Sequence, residues 1–352
     1  GDRDGNPYVT PEITLKTAET LRHHILRNYY RELRFLKTRL TFDGVLQKVE
    51  ALETALYHTL FFPKKTPVSL DELTEGLEHI ANDLKVDHNG FYLDLVLDLI
   101  DKVKLFGYHF ASLDIRQDSR VHEGVFLEVI NHPKVRATIG ALKQHSYQEL
   151  SLEQRIELLS RVEGEVDPSL FDANEITAQT LESISVMREI QQRNGERGSN
   201  RYIISNCQSL EHLLQLYALI RLCGWSNPSL DIIPLFETID DLRAAPDIMR
   251  ALYSNASYRA HLESRGMKQT VMLGFSDGTK DGGYFMANWG IYSAKEALSL
   301  LSTEFGVSVA FFDGRGGPPA RGGGRTHEFY ASLGEQIQAD DIQLTVQGQT
   351  IS

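Results

Sequence analysis

Ala18, Leu21, Ile25, Leu33, Leu36 and Leu40 recur at the three- and four-residue steps of a single helix face. Thr10 ahead of Pro11 and Glu12 supplies a capping hydroxyl, a first-turn proline and an acid at the positive end of the helix dipole, so a helix starts there. The same periodicity predicts helices over residues 43–60, 69–84, 90–106, 152–160 and 174–193, and the polar, glycine-bearing stretch 193–200 predicts an exposed loop. Shorter apolar runs, rich in β-branched and aromatic residues, predict strands over 108–115, 202–205, 230–236, 270–275 and 307–312. Each strand pattern is followed by a turn and then a helical pattern, which implies parallel strands joined by crossover helices. Residues 1–107 therefore read as a mainly helical segment and residues 108–352 as the part carrying the strands, and no internal repeat divides the chain.

Composition narrows the partners. The 352 residues carry 36 basic and 48 acidic side chains, a formal net charge of −12. Duplex nucleic acid and an anionic membrane surface both require a positive footprint, so neither is expected as the main partner. Cys207 and Cys223 are the only cysteines, too few for a disulfide framework and without zinc-site spacing, which fits inert thiols in a reducing compartment. Even the apolar stretch 91–100 is interrupted by Asp94 and Asp98 and falls short of the roughly 18 residues of a membrane span. The chain opens on Gly1-Asp-Arg-Asp-Gly-Asn-Pro7, which is loop chemistry without a targeting signal. A cytoplasmic protein is expected, and the chain reads as one cut from a longer one.

Candidate chemistry sits where the strand patterns end. The runs finish in Asp114-Ile-Arg116-Gln117-Asp118, Ser205-Asn206, Glu237-Thr238, Ser276-Asp277-Gly278-Thr279-Lys280-Asp281 and Asp313-Gly314-Arg315. In a barrel of parallel strands these ends share one face, where such barrels hold their active sites. Glu237 and Asp277 each follow a strand, so their carboxylates can meet although 40 residues separate them. Two carboxylates without a cysteine or histidine partner favour a hard divalent ion, Mg²⁺ or Mn²⁺. An EF-hand reading of residues 277–288 fails because Asn288 stands where the bidentate glutamate belongs. Residues 314–325 pack six of the 27 glycines and three arginines, Arg315, Arg321 and Arg325, into 12 positions. Glycine lets backbone approach an anion and guanidinium binds phosphate or carboxylate bidentately, so the positive charge missing from the global balance is concentrated here. An RNA-binding Arg-Gly-Gly box is disfavoured by the strand directly before it and the lack of interleaved aromatics.

These residues resemble a known family. Asp114-Ile-Arg-Gln-Asp-Ser119, Pro234-Leu-Phe-Glu-Thr-Ile-Asp-Asp-Leu242, Gly274-Phe-Ser-Asp-Gly-Thr-Lys-Asp-Gly-Gly283 and Phe312-Asp-Gly-Arg-Gly-Gly317 with Arg321-Gly-Gly323 look like the ordered motifs of phosphoenolpyruvate carboxylase, and the opening Gly1 to Pro7 resembles another. The resemblance implies a helix-rich α/β fold, an incomplete TIM-type (β/α) barrel, and the irreversible carboxylation of phosphoenolpyruvate with bicarbonate to oxaloacetate and phosphate. It implies Glu237 and Asp277 as metal ligands, Arg116 and Arg315 as the grip on phosphoenolpyruvate, Lys280 in the same pocket, and Arg321 near bicarbonate and carboxyphosphate. A homotetramer is implied for the complete enzyme.

Three departures qualify the resemblance. Asp313 stands where the family usually has histidine before Gly-Arg-Gly-Gly, so either Asp313 handles protons with a raised pKa or bicarbonate is arranged differently. The family's N-terminal segment with its catalytic histidine has no counterpart, and His122, His145 and His327 read as core or surface residues. The chain stops before the family's last barrel strands, with Val346 and Gln349 where glutamates are usual. A central piece of the enzyme, inactive alone, is therefore expected. The rival readings are another phosphoenolpyruvate-using barrel enzyme, disfavoured for nucleotide users by the absence of a P-loop, and a non-catalytic anion-binding module.

Overall fold

The structure, a computed structural model, describes all residues except 7, 63–65, 143–144, 173–174, 315–324, 335–336, 338–341 and 345–352, and leaves aside the side chains of 141, 275–279, 281, 326, 342 and 344. Chain contacts divide into two compact units, one of residues 12–113 and 186–200, the other of residues 1–11, 114–185 and 201–352.

The first unit is helical, with α1 (Pro11–Lys37), α2 (Val45–Phe61), α3 (Leu70–Asp87) and α4 (Leu93–Phe106). The expected periodicity is realised in its core, where Leu33, Leu36 and Leu40 meet Val49 and Leu56, Leu73, Leu77, Ile80 and Leu84, and Val96, Leu99 and Val103. Ser69 starts α3 with a reciprocal capping box, its Oγ accepting from the Glu72 amide at 3.1 Å and its own amide donating to Glu72 Oε2 at 2.8 Å.

The expected strand over 108–115 is displaced. Gly107 and Phe110 adopt positive φ of 46° and 61°, which breaks an extended run. Tyr108 instead joins the helical core and donates from its hydroxyl to the carbonyls of Val68 and Ser69, each at 3.0 Å. The apolar run thus serves the helical unit, and β1 forms over Ile115–Asp118, which places Arg116 inside a strand. Residues 193–200 match the expected exposed loop in part: Arg193, Gly195, Glu196 and Arg197 are exposed, while Asn194 and Ser199 are buried and bond the carbonyls of Ala18 at 3.0 Å and Leu113 at 2.9 Å. The polarity of those two residues reflects satisfied interior hydrogen bonds.

The second unit alternates strand and helix, β1, α5 (Ser119–Asn131), α6 (Pro133–Arg136), α7 (Leu152–Arg161), α8 (Ile176–Asn194, its residues from 186 belonging to the first unit), β2 (Arg201–Ser205), α9 (Leu210–Leu222), β3 (Asp231–Phe236), α10 (Ile239–Ser254), α11 (Ala256–Ser264), β4 (Lys268–Leu273), α12 (Phe275–Phe305), β5 (Ser308–Asp313), α13 (Thr326–Ala331) and β6 (Ile342–Leu344). The six strands form one parallel sheet in chain order β1 to β6. A doubly wound sheet would reverse its order partway, whereas this succession is that of a singly wound barrel. Residues 1–3 extend the sheet past β1, with Asp2 bridged in parallel to Arg116.

The sheet curls. Ile203, Ile233, Leu235 and Met272, with Phe312, form a cluster on one face. Arg201, on the same face at the start of β2, donates to Gln343 Oε1 on β6 at 2.8 Å and lies 5.9 Å from the Phe312 ring centroid on β5. In a flat sheet β2 and β6 would stand about 19 Å apart, four steps of about 4.8 Å, too far for these two side chains to meet. Among the described residues the sheet remains open between β6 and the N-terminal segment, so a helix-rich α/β fold with a curled parallel sheet is established and ring closure is not.

Candidate functional site

Side chains alternate along a strand, so the inward face can be followed to the C-terminal ends. Register pairs Leu235 with Met272 and Met272 with Phe312. One step of two residues onward along each strand lie Glu237, Gly274 and Gly314. A Cβ at Gly274 would stand 3.0 Å from Glu237 Cα and 3.3 Å from its Cγ, and one at Gly314 would stand 3.2 Å from the Leu273 carbonyl oxygen and 3.8 Å from Gly274 Cα. Two missing side chains therefore let three strand ends close up and leave a cradle in which Glu237 presents the carboxylate.

Glu237 is held from two sides. Asn206, at a positive φ of 52° that asparagine tolerates better than most residues, aims its amide at Glu237 Oε2 at 2.8 Å. Ser119 Oγ in turn donates to the Asn206 carbonyl at 2.7 Å, tying the end of β1 to the loop after β2. Beneath Glu237, the buried carboxylate of Asp241 accepts from the Glu237 and Thr238 amides at 3.3 and 2.9 Å and completes a capping box at the start of α10. The loop after β2 was noted in the sequence only as a polar strand end. Asn206 as an orienting group is invisible there because its role is carried by backbone.

Arg116 lies on the inward face, in register with Ile203. Its Nη2 meets Asp4 Oδ2 at 3.0 Å and its Nε meets Asp2 Oδ1 at 3.3 Å. These acids come from the opening Gly1 to Pro7 stretch, Asp4 as a charge-assisted hydrogen-bond acceptor and Asp2 as a charge partner. On the rim, Arg120 clamps Asp118 with a bidentate pair at 2.9 and 2.6 Å, and that hydrogen bonding holds the Asp118 carboxyl below its ordinary range. Lys280 is exposed on the first segment of α12, ahead of the break at Gly283 (φ 78°). Asp277 heads that helix directly after β4, but its side chain, like Arg315 and Arg321 entirely, lies outside the described residues.

Asp313 alternates away from the cradle. It is buried against α12 and α13, with Lys295 Nζ 2.8 Å from its Oδ2 and the Tyr330 hydroxyl donating to the same oxygen. His122 is fully buried beside the Tyr202 hydroxyl at 3.0 Å, and burial pushes its pKa down to about 3. His145 and His327 are exposed. Cys207 and Cys223 are free, and burial pushes Cys223 up to about 12. Among the described residues no group of three His, Cys, Asp or Glu could hold a metal. What they offer a hard divalent cation is the Glu237 carboxylate in a cradle left empty by two glycines, an oxygen donor of the right kind, with Asp277 following the adjacent strand. No helix among the described residues is long and apolar enough to cross a membrane.

Comparison with known proteins matches the family described as phosphoenolpyruvate carboxylase over residues 1–61 and 48–352. The chain is 33% identical over 416 aligned positions to a phosphoenolpyruvate carboxylase of Rhodothermus marinus, covering 100% of this chain and 43% of that protein. It is 31% identical to the proteins of the same description from Nitrosomonas eutropha and Ralstonia nicotianae, covering 100% of this chain and 42% and 40% of theirs. The chain thus spans less than half the length of these relatives.

Proposed function

The chain belongs to the phosphoenolpyruvate carboxylase family, and from that premise we propose that it builds the metal and phosphoenolpyruvate site of an enzyme joining phosphoenolpyruvate and bicarbonate into oxaloacetate and phosphate. The observation that carries the reading is the cradle of Glu237, Gly274 and Gly314 at the strand ends, an oxygen-donor site on the face of the sheet that also carries Arg116. The curled parallel sheet, its strands in chain order, supports a (β/α) barrel.

In this reading Glu237 and Asp277 hold Mg²⁺ or Mn²⁺, which when bound supplies Lewis-acid neutralisation of phosphate and enolate oxygens. Arg116, with Nη2 hydrogen-bonded to Asp4 and Nε paired in charge with Asp2, offers its Nη1 to the substrate anion. Arg315 and Lys280 complete that grip, and Arg321 receives bicarbonate. A bicarbonate oxygen attacks phosphorus as the bond from phosphorus to the enol oxygen breaks, giving carboxyphosphate and the enolate. Guanidinium groups neutralise charge on the transferring phosphoryl group, whose transition state is loose. Carboxyphosphate divides into carbon dioxide and phosphate, and the enolate carbon bonds to the carbon dioxide. Exclusion of water at this point keeps the enolate from being protonated to pyruvate. A cytoplasmic homotetramer belongs to the same proposal.

The test uses the full-length protein with phosphoenolpyruvate, bicarbonate and Mg²⁺ or Mn²⁺. Bicarbonate-dependent oxaloacetate formation is expected, and Glu237→Gln is expected to lower kcat/KM at least 100-fold and to weaken Mn²⁺ binding read by spin-label-free electron resonance of the free ion. Turnover with undiminished metal affinity in Glu237→Gln rejects the site.

A further inference from the structure

Lys295 and Asp313 form an ion pair with side-chain exposures of 2% and 3%. Burying two charges is costly, and removing one partner leaves the other uncompensated, so such a pair fixes the elements that bear it. Here the bearers are α12 and the last residue of β5. A third element joins through Tyr330 of α13, whose hydroxyl donates to the Asp313 oxygen that Lys295 already holds. The Lys295 ammonium also lies 5.6 Å from the Phe311 ring centroid and 5.4 Å from that of Tyr330, so aromatic faces from the strand and from α13 meet the same cation.

The positions of these residues in the chain give the cluster its meaning. Asp313 immediately precedes the glycine- and arginine-rich segment 314–325, and Tyr330 follows it by five residues. One carboxylate oxygen therefore joins the two flanks of the segment that concentrates Arg315, Arg321 and Arg325. The other oxygen, Oδ1, is buried with no hydrogen-bond partner among the described residues, and strand alternation turns the side chain away from the face where Glu237 lies.

We propose that Lys295, Asp313 and Tyr330 form a buried clasp that pins both flanks of the arginine- and glycine-rich segment, making Asp313 a positioning residue and not the group that exchanges protons with substrate. Its consequence for turnover rests on the carboxylase reading. The negative charge that Asp313 introduces is neutralised by Lys295 within the fold. Its service to the reaction is indirect: it fixes the residue before the segment to the helix after it.

The experiment compares, in the full-length protein, Tyr330→Phe, Asp313→Asn, Lys295→Met and the double variant Lys295→Met/Asp313→Leu. Tyr330→Phe keeps the ring and the ion pair, so it folds where harsher changes do not. It is expected to raise the KM for phosphoenolpyruvate at least fivefold with kcat within threefold and the pH profile of kcat/KM unmoved, and to speed tryptic cleavage after Arg315 or Arg321 at least fivefold. The double variant is expected to be less impaired than Lys295→Met alone, because it leaves no orphaned charge. Asp313→Asn abolishing kcat at unchanged KM, with one ionisation lost from the pH profile and Tyr330→Phe indistinguishable from wild type, overturns the clasp and leaves the carboxylase reading intact. If the wild type forms no oxaloacetate, that reading fails by itself, and the clasp then stands or falls on whether Tyr330→Phe accelerates tryptic cleavage.

Discussion

Glu237 and Gly274 depend on each other at atomic distance. The Gly274 amide donates to the Phe236 carbonyl at 2.8 Å, and its Cα hydrogen occupies the place where a methyl group would meet the Glu237 backbone at 3.0 Å. Backbone cannot rotate aside as a side-chain tip can, so Gly274→Ala must push the ends of β3 and β4 apart. Overpacking of this kind costs about 1–3 kcal/mol, and here the displacement falls on the carboxylate that faces the cradle. The expected outcome is a Tm lowered by several degrees together with at least tenfold weaker Mn²⁺ binding in the full-length protein. A loss of stability with unchanged metal affinity would separate Gly274 from the site.

Helices α5 and α11 each press an imidazole into the second unit's interior, His122 at 0% and His261 at 5% exposure. Burial pushes them down to about 3 and about 4. Both native values lie below the unfolded value of about 6.5, so the unfolded chain takes up protons that the folded chain refuses. Stability contributed by the neutral rings is complete above pH 6.5 and is lost as pH falls from there towards 4, at up to about 2.7 kcal/mol per pH unit for the two together. Urea titrations at pH 7, 6 and 5 are expected to show this fall, and His122→Gln is expected to flatten it by about half. Amphipathic periodicity made the helices of the first unit legible from sequence, with Pro11 at the start of α1 and Ser69 at the start of α3, whereas it marked no range for α5 or α11. The run 108–115 was misread because Tyr108 is apolar for the sake of the helical core, while β1 is the polar stretch whose Gln117 finds its partner in Thr180. The motif residues Arg116 and Glu237 were legible as chemistry; the acids that orient Arg116 and the amide that orients Glu237 were not, since sequence separation of 112 and 31 residues hides them.

The second unit draws its curvature from interactions that cross the sheet, and Arg201 makes the widest of them. Its guanidinium pairs bidentately with Asp114, before β1, with Nε to Oδ1 and Nη2 to Oδ2 both at 2.8 Å, while its Nη1 reaches Gln343 on β6. A planar fork can serve both partners at once, which a lysine ammonium on a flexible stem does less well. The curl that gathers the strand ends around Glu237 is therefore held partly by a side chain rooted at the start of β2. Arg201→Met removes the fork, leaves the half-buried Asp114 without its cation and releases β6 from β2. A cost of about 1.5–3 kcal/mol is expected, the range for hydrogen bonds to charged groups. The loss should be local in hydrogen exchange: amides of Ile342–Leu344 are expected to exchange at least tenfold faster, those of β3 slightly faster, and those of α3 in the helical unit at the wild-type rate. Equal acceleration in α3 and β6 would mean general destabilisation, and would remove Arg201 as the brace of the curl.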